Sequence, residues 1–485
     1  MNHSEIKSKA FSGVIWKFLE RFIAQGIYLV VSIVLARILS PTEYSVVGII
    51  NVFFTFANIF ITSGLNTALI QKRDSDDIDY STVTFTSLGL SAVVYFILYI
   101  SAPAIASIYH KEILVPMIRI MGLTFPVTAL KAVWCAYISS NLLFRKFFFA
   151  TLGGTIVSGI VGIYMALNGF DAWSLIAQQM TNTVIDTIIL IITTRVKISL
   201  TYSFSRLKSL YRYSWKLFLS SLLGAIYTEI SPLVIGLRFD ANDLSFYTKG
   251  KSFPSMLSTT ATNTLSAVLF PVLAKYQDKK EQILEYTRLY MRLSSFIIFP
   301  IMMGMFAVSD NFITVVLTDK WQQAAYYTRV FCLCNMFNVI AIGNCETIKA
   351  IGRSDVYLKI EIIKKIGYFL VLAVFVFLSR SAKVLALAYV VCTVIQILVN
   401  SYPNVKLIGY SYMDQIKDLF PNWWISAVMC FVTLFSGSLL PHNLLGLIAQ
   451  IFLGVLVFIL LCVLTKNTAF LYFVNYLKAM SKRRK

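Results

Sequence analysis

The stretch LLGLIAQIFLGVLVFILLCVLT, residues 444–465, carries no charged side chain and almost no polar one. As a helix it rises 1.5 Å per residue, so it is long enough to cross the roughly 30 Å hydrocarbon layer of a bilayer. Reading outward, thirteen further apolar stretches recur, at 11–38, 42–64, 81–103, 113–139, 149–168, 174–193, 214–237, 248–274, 288–308, 325–347, 358–378, 384–404 and 421–439. Apolar residues make up 58% of the 485 positions and charged residues only 14%, against roughly half and a quarter in a soluble domain. The sequence therefore predicts an all-α polytopic membrane protein with about fourteen transmembrane helices. That composition excludes a disordered chain, a secreted disulfide scaffold and an ordinary cytosolic enzyme.

The formal net charge of +20 would suggest nucleic acid as a partner in a soluble protein. In a membrane chain it is read through topology, and no nucleic-acid partner is expected. With the N-terminus inside, the loops on the cytoplasmic side collect 27 Lys and Arg, and those on the other side eight. Positive loops stay inside, so both termini are expected in the cytoplasm. The basic tail SKRRK (481–485), after the amphipathic stretch 468–478, reads as an interfacial segment on anionic membrane lipid. The seven cysteines all fall in apolar runs, where free Cys behaves as a small hydrophobe. They form no disulfide framework and, with the scattered His3, His110 and His442, no metal spacing. No cofactor is expected.

A weak internal repeat accompanies the helices. Trp16-Lys17 and Trp215-Lys216 open helices one and seven; Arg37, Tyr44 and Gly48 match Arg238, Phe246 and Gly250; Lys72 matches Lys275. The offset drifts slowly from 199 to 203 residues. Six helices per repeat send both halves into the membrane in the same direction, so the expected relation is a pseudo-two-fold axis along the membrane normal. The domains read as an N-lobe at 1–200 (helices one to six), a C-lobe at 201–410 (helices seven to twelve), and 411–485 with two C-terminal helices and the tail.

Ionisable residues inside apolar helices are the candidates for function, because each costs about 2.5–3.5 kcal/mol at the bilayer centre on insertion scales. Lys17, Glu20 and Arg21 share a helix face at i, i+3 and i+4. Lys17 and Arg21, with Lys131 and Arg292, are cations that would accept an anion in a cavity. The bland reading is a self-neutralising Lys17–Glu20–Arg21 cluster snorkelling inward. Glu20, Asp186 and Glu229 are candidate coupling or counter-ion sites; Glu229 stands three residues before the helix-kinking Pro232. Gly154, Ser158 and Gly162 repeat every four residues and read as a close-packing face.

The segment 16–49, with Ala36, Arg37, Leu39, Pro41, Glu43, Tyr44 and Gly48, resembles the first helix and turn of bacterial polysaccharide exporters, although Ser45 stands where the family usually has Gly. GLNTALIQKRD (64–74) and YPNVKLIGYSYMDQIKDLFP (402–421) are similar to later stretches of the same family. The resemblance is to Wzx-like polysaccharide flippases of the multidrug/oligosaccharidyl-lipid/polysaccharide exporter superfamily. It implies two six-helix lobes, two extra C-terminal helices and a central cavity of alternating access. It also implies a polyprenyl-pyrophosphate-linked oligosaccharide substrate in the bacterial inner membrane, and polysaccharide polymerase partners. A pyrophosphate suits cations at depth, Arg21 first among them, because a guanidinium fork stays charged and fits phosphate oxygens. Same-fold alternatives are a peptidoglycan-precursor flippase or a cation-coupled antiporter. A membrane polymerase or glycosyltransferase is disfavoured, because no outer loop is large enough for a catalytic domain.

Overall fold

The computed structural model describes residues 23–72, 75–141, 143–194, 196, 198–276, 279–379 and 381–472. The described residues form helices and no strand. They divide into two compact units, 1–245 and 246–485.

The first unit holds α1 (Ile23–Ile38), α2 (Pro41–Thr62), α3 (Leu65–Gln71), α4 (Asp77–Ile108), α5 (Leu114–Gly122), α6 (Phe125–Ser140), α7 (Phe144–Leu167), α8 (Ala172–Thr193) and α9 (Phe204–Arg238). Next, α10 (Ala241–Lys275) leads into the second unit, which holds α11 (Lys280–Leu317), α12 (Ala324–Met336), α13 (Asn338–Ala350), α14 (Ser354–Leu378), α15 (Ala382–Leu407), α16 (Tyr412–Leu439) and α17 (Leu444–Leu464).

Among the described residues, eleven helical segments are long and apolar enough to cross a membrane, with α5–α6 and α12–α13 each counted as one interrupted span. The other three expected spans correspond to α1, which is described only from Ile23; α10, which carries Lys249 and Lys251; and α14, whose first half carries Asp355, Lys359, Glu361, Lys364 and Lys365. Side chains on the outer faces are apolar and exposed, including Phe377, Ile192, Leu445 and Phe452. In lipid such faces are solvated, and only the backbone must be satisfied internally, as helices do.

Several helices outrun their apolar stretches. The seventh was expected from 214 but starts at Phe204, behind Ser203, whose hydroxyl accepts from Arg206 N. The thirteenth starts at Tyr412 rather than 421, behind Ser411, whose hydroxyl accepts from Asp414 N at 3.1 Å. Capping residues, not hydropathy, set these starts. Two expected single helices are broken. The chain restarts at Phe125-Pro126, where proline has no N–H to continue the earlier helix. The α12–α13 break at Phe337 has no proline and no sequence signal.

In the first unit, Leu65, Leu69, Tyr80, Val83, Val133, Ile138, Leu190 and Leu210 form a buried cluster joining α3, α4, α6, α8 and α9. The turn before α3 needs Gly64. Its φ is +69°, and an added Cβ would lie 2.8 Å from Ser214 O. Beside it, Asp76 and Asp79 cap α4 reciprocally, with Asp79 N donating to Asp76 Oδ1 at 3.0 Å and Asp76 N to Asp79 Oδ2 at 3.2 Å. Buried Asp79 also holds Lys72 at 2.6 Å and Arg206 at 3.3 Å, and Arg206 donates to Asp76. The start of α9 is thereby tied to the α3–α4 corner.

The expected close-packing face is present. A Cβ on Gly154 would lie 3.0 Å from Asp186 Cβ and one on Gly162 would lie 2.9 Å from Gln178 Cβ, so α7 and α8 touch nearly backbone to backbone. In the second unit buried amides link three helices. Asn404 Nδ2 donates to Asn344 Oδ1 at 2.7 Å, Asn344 Nδ2 to Gln415 Oε1 at 3.0 Å, and Ser401 Oγ to Gln415 Oε1 at 2.9 Å. These bonds tie α13, α15 and α16 together.

Candidate functional site: a polar cavity

The close approach of α7 and α8 positions a site beside it. Gln178, Gln179, Asn182 and Thr183 from the QQMTNT run of α8 project with Thr151, Thr155 and Ser158 of α7 and with Gln25 and Tyr28 of α1 into a cavity of about 590 Å³. A second cavity, of about 210 Å³, shares Gln179 and Thr183 and adds Asn51, Thr55 and Asn58 of α2 and Thr124 and Thr128 beside and on α6. Most of the lining residues carry amides or hydroxyls, and among the described residues neither lining contains a charged side chain.

Parts of the lining are fixed and parts are free to bind. Asn182 Nδ2 donates to Ser158 Oγ at 3.3 Å, and Thr183 Oγ1 to Gln179 O at 3.0 Å. Asn58 Oδ1 and Thr151 Oγ1 are buried and, among the described residues, without a hydrogen-bond partner. A buried polar atom left unmatched costs about 1–3 kcal/mol, so a water or ligand hydroxyl reaching either atom would be stabilising. Tyr28, 60% exposed, offers a ring face beside them.

The structure brings two of the sequence candidates together. Lys131 Nζ lies 2.6 Å from Asp186 Oδ2, and Asp186 is buried. Asp186 sits one turn beyond Asn182 on α8, and Lys131 three residues beyond Thr128 on α6. The ion pair therefore stands next to the cavities without lining them. Glu229 is half-buried on α9, beside the expected Pro232, and lines neither cavity. Arg292 belongs to the second unit, where Asp418 holds it at 2.6 Å. Lys17, Glu20 and Arg21 lie outside the described residues.

The charge-based reading passed over the amide lining. Its signal is nonetheless present: six consecutive residues, Gln178 to Thr183, interrupt an apolar helix with only Met180 among them. Uncharged polar groups in a bilayer helix also cost free energy unless matched, so such a run marks a wet or ligand-lined face as surely as a charge does.

A family model for polysaccharide biosynthesis proteins matches residues 34–326. The lipopolysaccharide biosynthesis protein WzxC of Escherichia coli is 23% identical over 444 residues, covering 90% of each chain. The succinoglycan biosynthesis transport protein ExoT of Rhizobium meliloti is 23% identical over 490 residues, covering 96% of this chain and 95% of its own. Among solved structures, the lipid II flippase MurJ in an inward closed conformation superposes with a TM-score of 0.74 at 16% identity, covering 94% of this chain and 98% of its own. That likeness establishes a shared fold. Since the family model spans more than half of the sequence, the chain belongs to the polysaccharide biosynthesis protein family.

Proposed function

We propose that this protein is a transporter, not an enzyme, and that it flips polyprenyl-pyrophosphate-linked oligosaccharide units from the inner to the outer leaflet by alternating access, for surface polysaccharide assembly. The observation that carries the reading is the cavity of about 590 Å³, lined among the described residues by amides and hydroxyls, within a bundle of apolar helices. Its size falls in the range of about 300–1,000 Å³ typical of small-molecule sites. Sugar hydroxyls donate and accept at once, and so do the amides of Gln178, Gln179 and Asn182. An aromatic face such as Tyr28 covers the apolar side of a sugar ring. Family membership and the names of WzxC and ExoT support a role in polysaccharide assembly, and the fold shared with MurJ supports lipid-linked cargo.

In this reading the protein sits in the bacterial inner membrane with both termini cytoplasmic. The pyrophosphate is held by cations. Arg21, four residues before Gln25 in the sequence, is the principal one, with Lys17 guiding the headgroup and Glu20 holding Arg21 in the empty state. Lys131 serves as a secondary cation once released from Asp186. Asp186, whose Oδ1 is buried and unmatched, would then carry the coupling ion. Glu229 is a second candidate for that role. A polysaccharide polymerase would take up the flipped units.

The test is surface polysaccharide in cells relying on each variant, with membrane protein level as control. Gln179→Leu with Asn182→Leu, or Arg21→Ala alone, should abolish polymer at normal protein level, and Arg21→Lys should restore only part. If Arg21 merely pairs with Glu20, the double change Arg21→Gln with Glu20→Gln will be tolerated. Normal polymer from both the amide double variant and Arg21→Ala would overturn the reading.

A further inference from the structure

In the second unit one carboxylate holds two guanidiniums. Asp418, buried on α16, accepts from Arg288 Nε at 2.8 Å and Nη2 at 3.1 Å, and from Arg292 Nε at 2.9 Å and Nη2 at 2.6 Å. The Tyr410 hydroxyl donates to it at 2.9 Å. Five donors exceed the roughly four lone-pair sites of a carboxylate, so Asp418 is saturated. Two guanidiniums against the one carboxylate they contact leave positive charge in excess at the contact, while Asp414 also acts electrostatically on Arg288. Arg288 and Arg292 remain 35% and 42% exposed, and among the described residues neither Nη1 has a protein acceptor.

The surroundings define what could use that charge. Arg292 is anchored through its backbone as well, because Asn422 Nδ2 donates to Arg292 O at 2.8 Å and Asn467 Nδ2 to Asn422 Oδ1 at 2.9 Å. Trp423 and exposed Trp424 follow Asp418 along α16, and tryptophan marks the depth of lipid headgroups. One turn past Arg292, Phe296 meets Phe458 and Phe470 at ring distances of 5.5 and 6.3 Å, and Ile297 and Ile301 beyond it are exposed. A pre-oriented pair of forks at headgroup depth, with apolar surface immediately deeper, matches an amphiphile with a phosphate head. Guanidinium forks suit phosphate oxygens bidentately.

We propose that Arg288 and Arg292, held by Asp418, bind a phosphate anion at the membrane face where α11 and α16 begin, the depth favouring the headgroup of an anionic phospholipid. The site is distinct from the amide cavity and does not depend on which cargo the protein carries.

The experiment uses the full chain in nanodiscs of phosphatidylcholine alone, of phosphatidylcholine with phosphatidylglycerol, and of phosphatidylcholine with inorganic phosphate added. A ligand that binds only the folded protein raises its unfolding temperature. The expected result is a rise with phosphatidylglycerol that Arg292→Gln largely removes, since that variant keeps the Arg288–Asp418 pair but loses the surplus charge. Arg292→Lys, which keeps the charge and loses the fork, should retain part of the rise and guards against a folding defect in the first variant. A rise with inorganic phosphate alone, equally dependent on Arg292, would assign the same site to a free phosphate. No rise from either source, or a rise unchanged in Arg292→Gln, would overturn the proposal.

Discussion

Lys131 and Asp186 show how much one ion pair governs at the residue scale. Each was legible as a costly charge in an apolar helix, but their partnership was not, because positions 55 residues apart meet only through the α6–α8 contact. Asp186 is buried and Lys131 about a quarter exposed. Removing the lysine alone strands a buried carboxylate, which costs up to about 3–5 kcal/mol. Lys131→Met should therefore lower the unfolding temperature of the purified protein markedly, whereas Lys131→Met with Asp186→Leu should recover most of the loss. Equal destabilisation by the single and double variants would show that the pair is not what Lys131 is for. The amides Gln179 and Asn182 were legible only as polar letters. That they converge with residues of α1, α2 and α7 is a property of the fold, not of spacing.

Among the elements, the apolar stretches located nearly every helix, and capping chemistry decided where each begins. Ser203, Ser411 and the Asp76–Asp79 reciprocal cap extend helices beyond the hydrophobic segment into water, which hydropathy does not report. The break between α12 and α13 escapes both signals. The α3–α4 corner carries a pH prediction. Its hydrogen bond from Arg206 pulls the Asp76 carboxyl down to about 2, from an ordinary value near 3.8. A carboxyl depressed by folding stabilises the native state above its unfolded pKa, and that contribution is lost as pH falls through the folded value. Wild-type protein should thus lose more thermal stability than Asp76→Asn between about pH 4 and about pH 2. Because Asp76 is exposed the difference will be small. Parallel melting curves across that window would remove Asp76 from the clasp.

For the whole molecule, the charge bias of the loops predicts sidedness, and the repeat predicts that 11–193 and 214–404 superpose by rotation about the membrane normal. Helix count was legible from composition to within the three segments that polar residues or undescribed positions obscure. Sidedness is checked by impermeant thiol labelling of single cysteines in otherwise cysteine-free protein. Positions 169–172, at the turn from α7 into α8, should react from outside intact cells, and positions 200–210, around the start of α9, should not. The reverse pattern would invert the topology and place the cations at the wrong face for loading. The account as a whole rests on transfer of lipid-linked oligosaccharide across the bilayer. The direct measurement is the fraction of that lipid-linked pool open to an impermeant glycan-binding or glycan-oxidising probe at the outer face of spheroplasts. Cells carrying the wild-type chain should expose the pool. Cells carrying Gln179→Leu with Asn182→Leu should hold an equal total pool that stays shielded. The same exposed fraction with the wild-type chain, with the variant and with no copy at all would contradict the account.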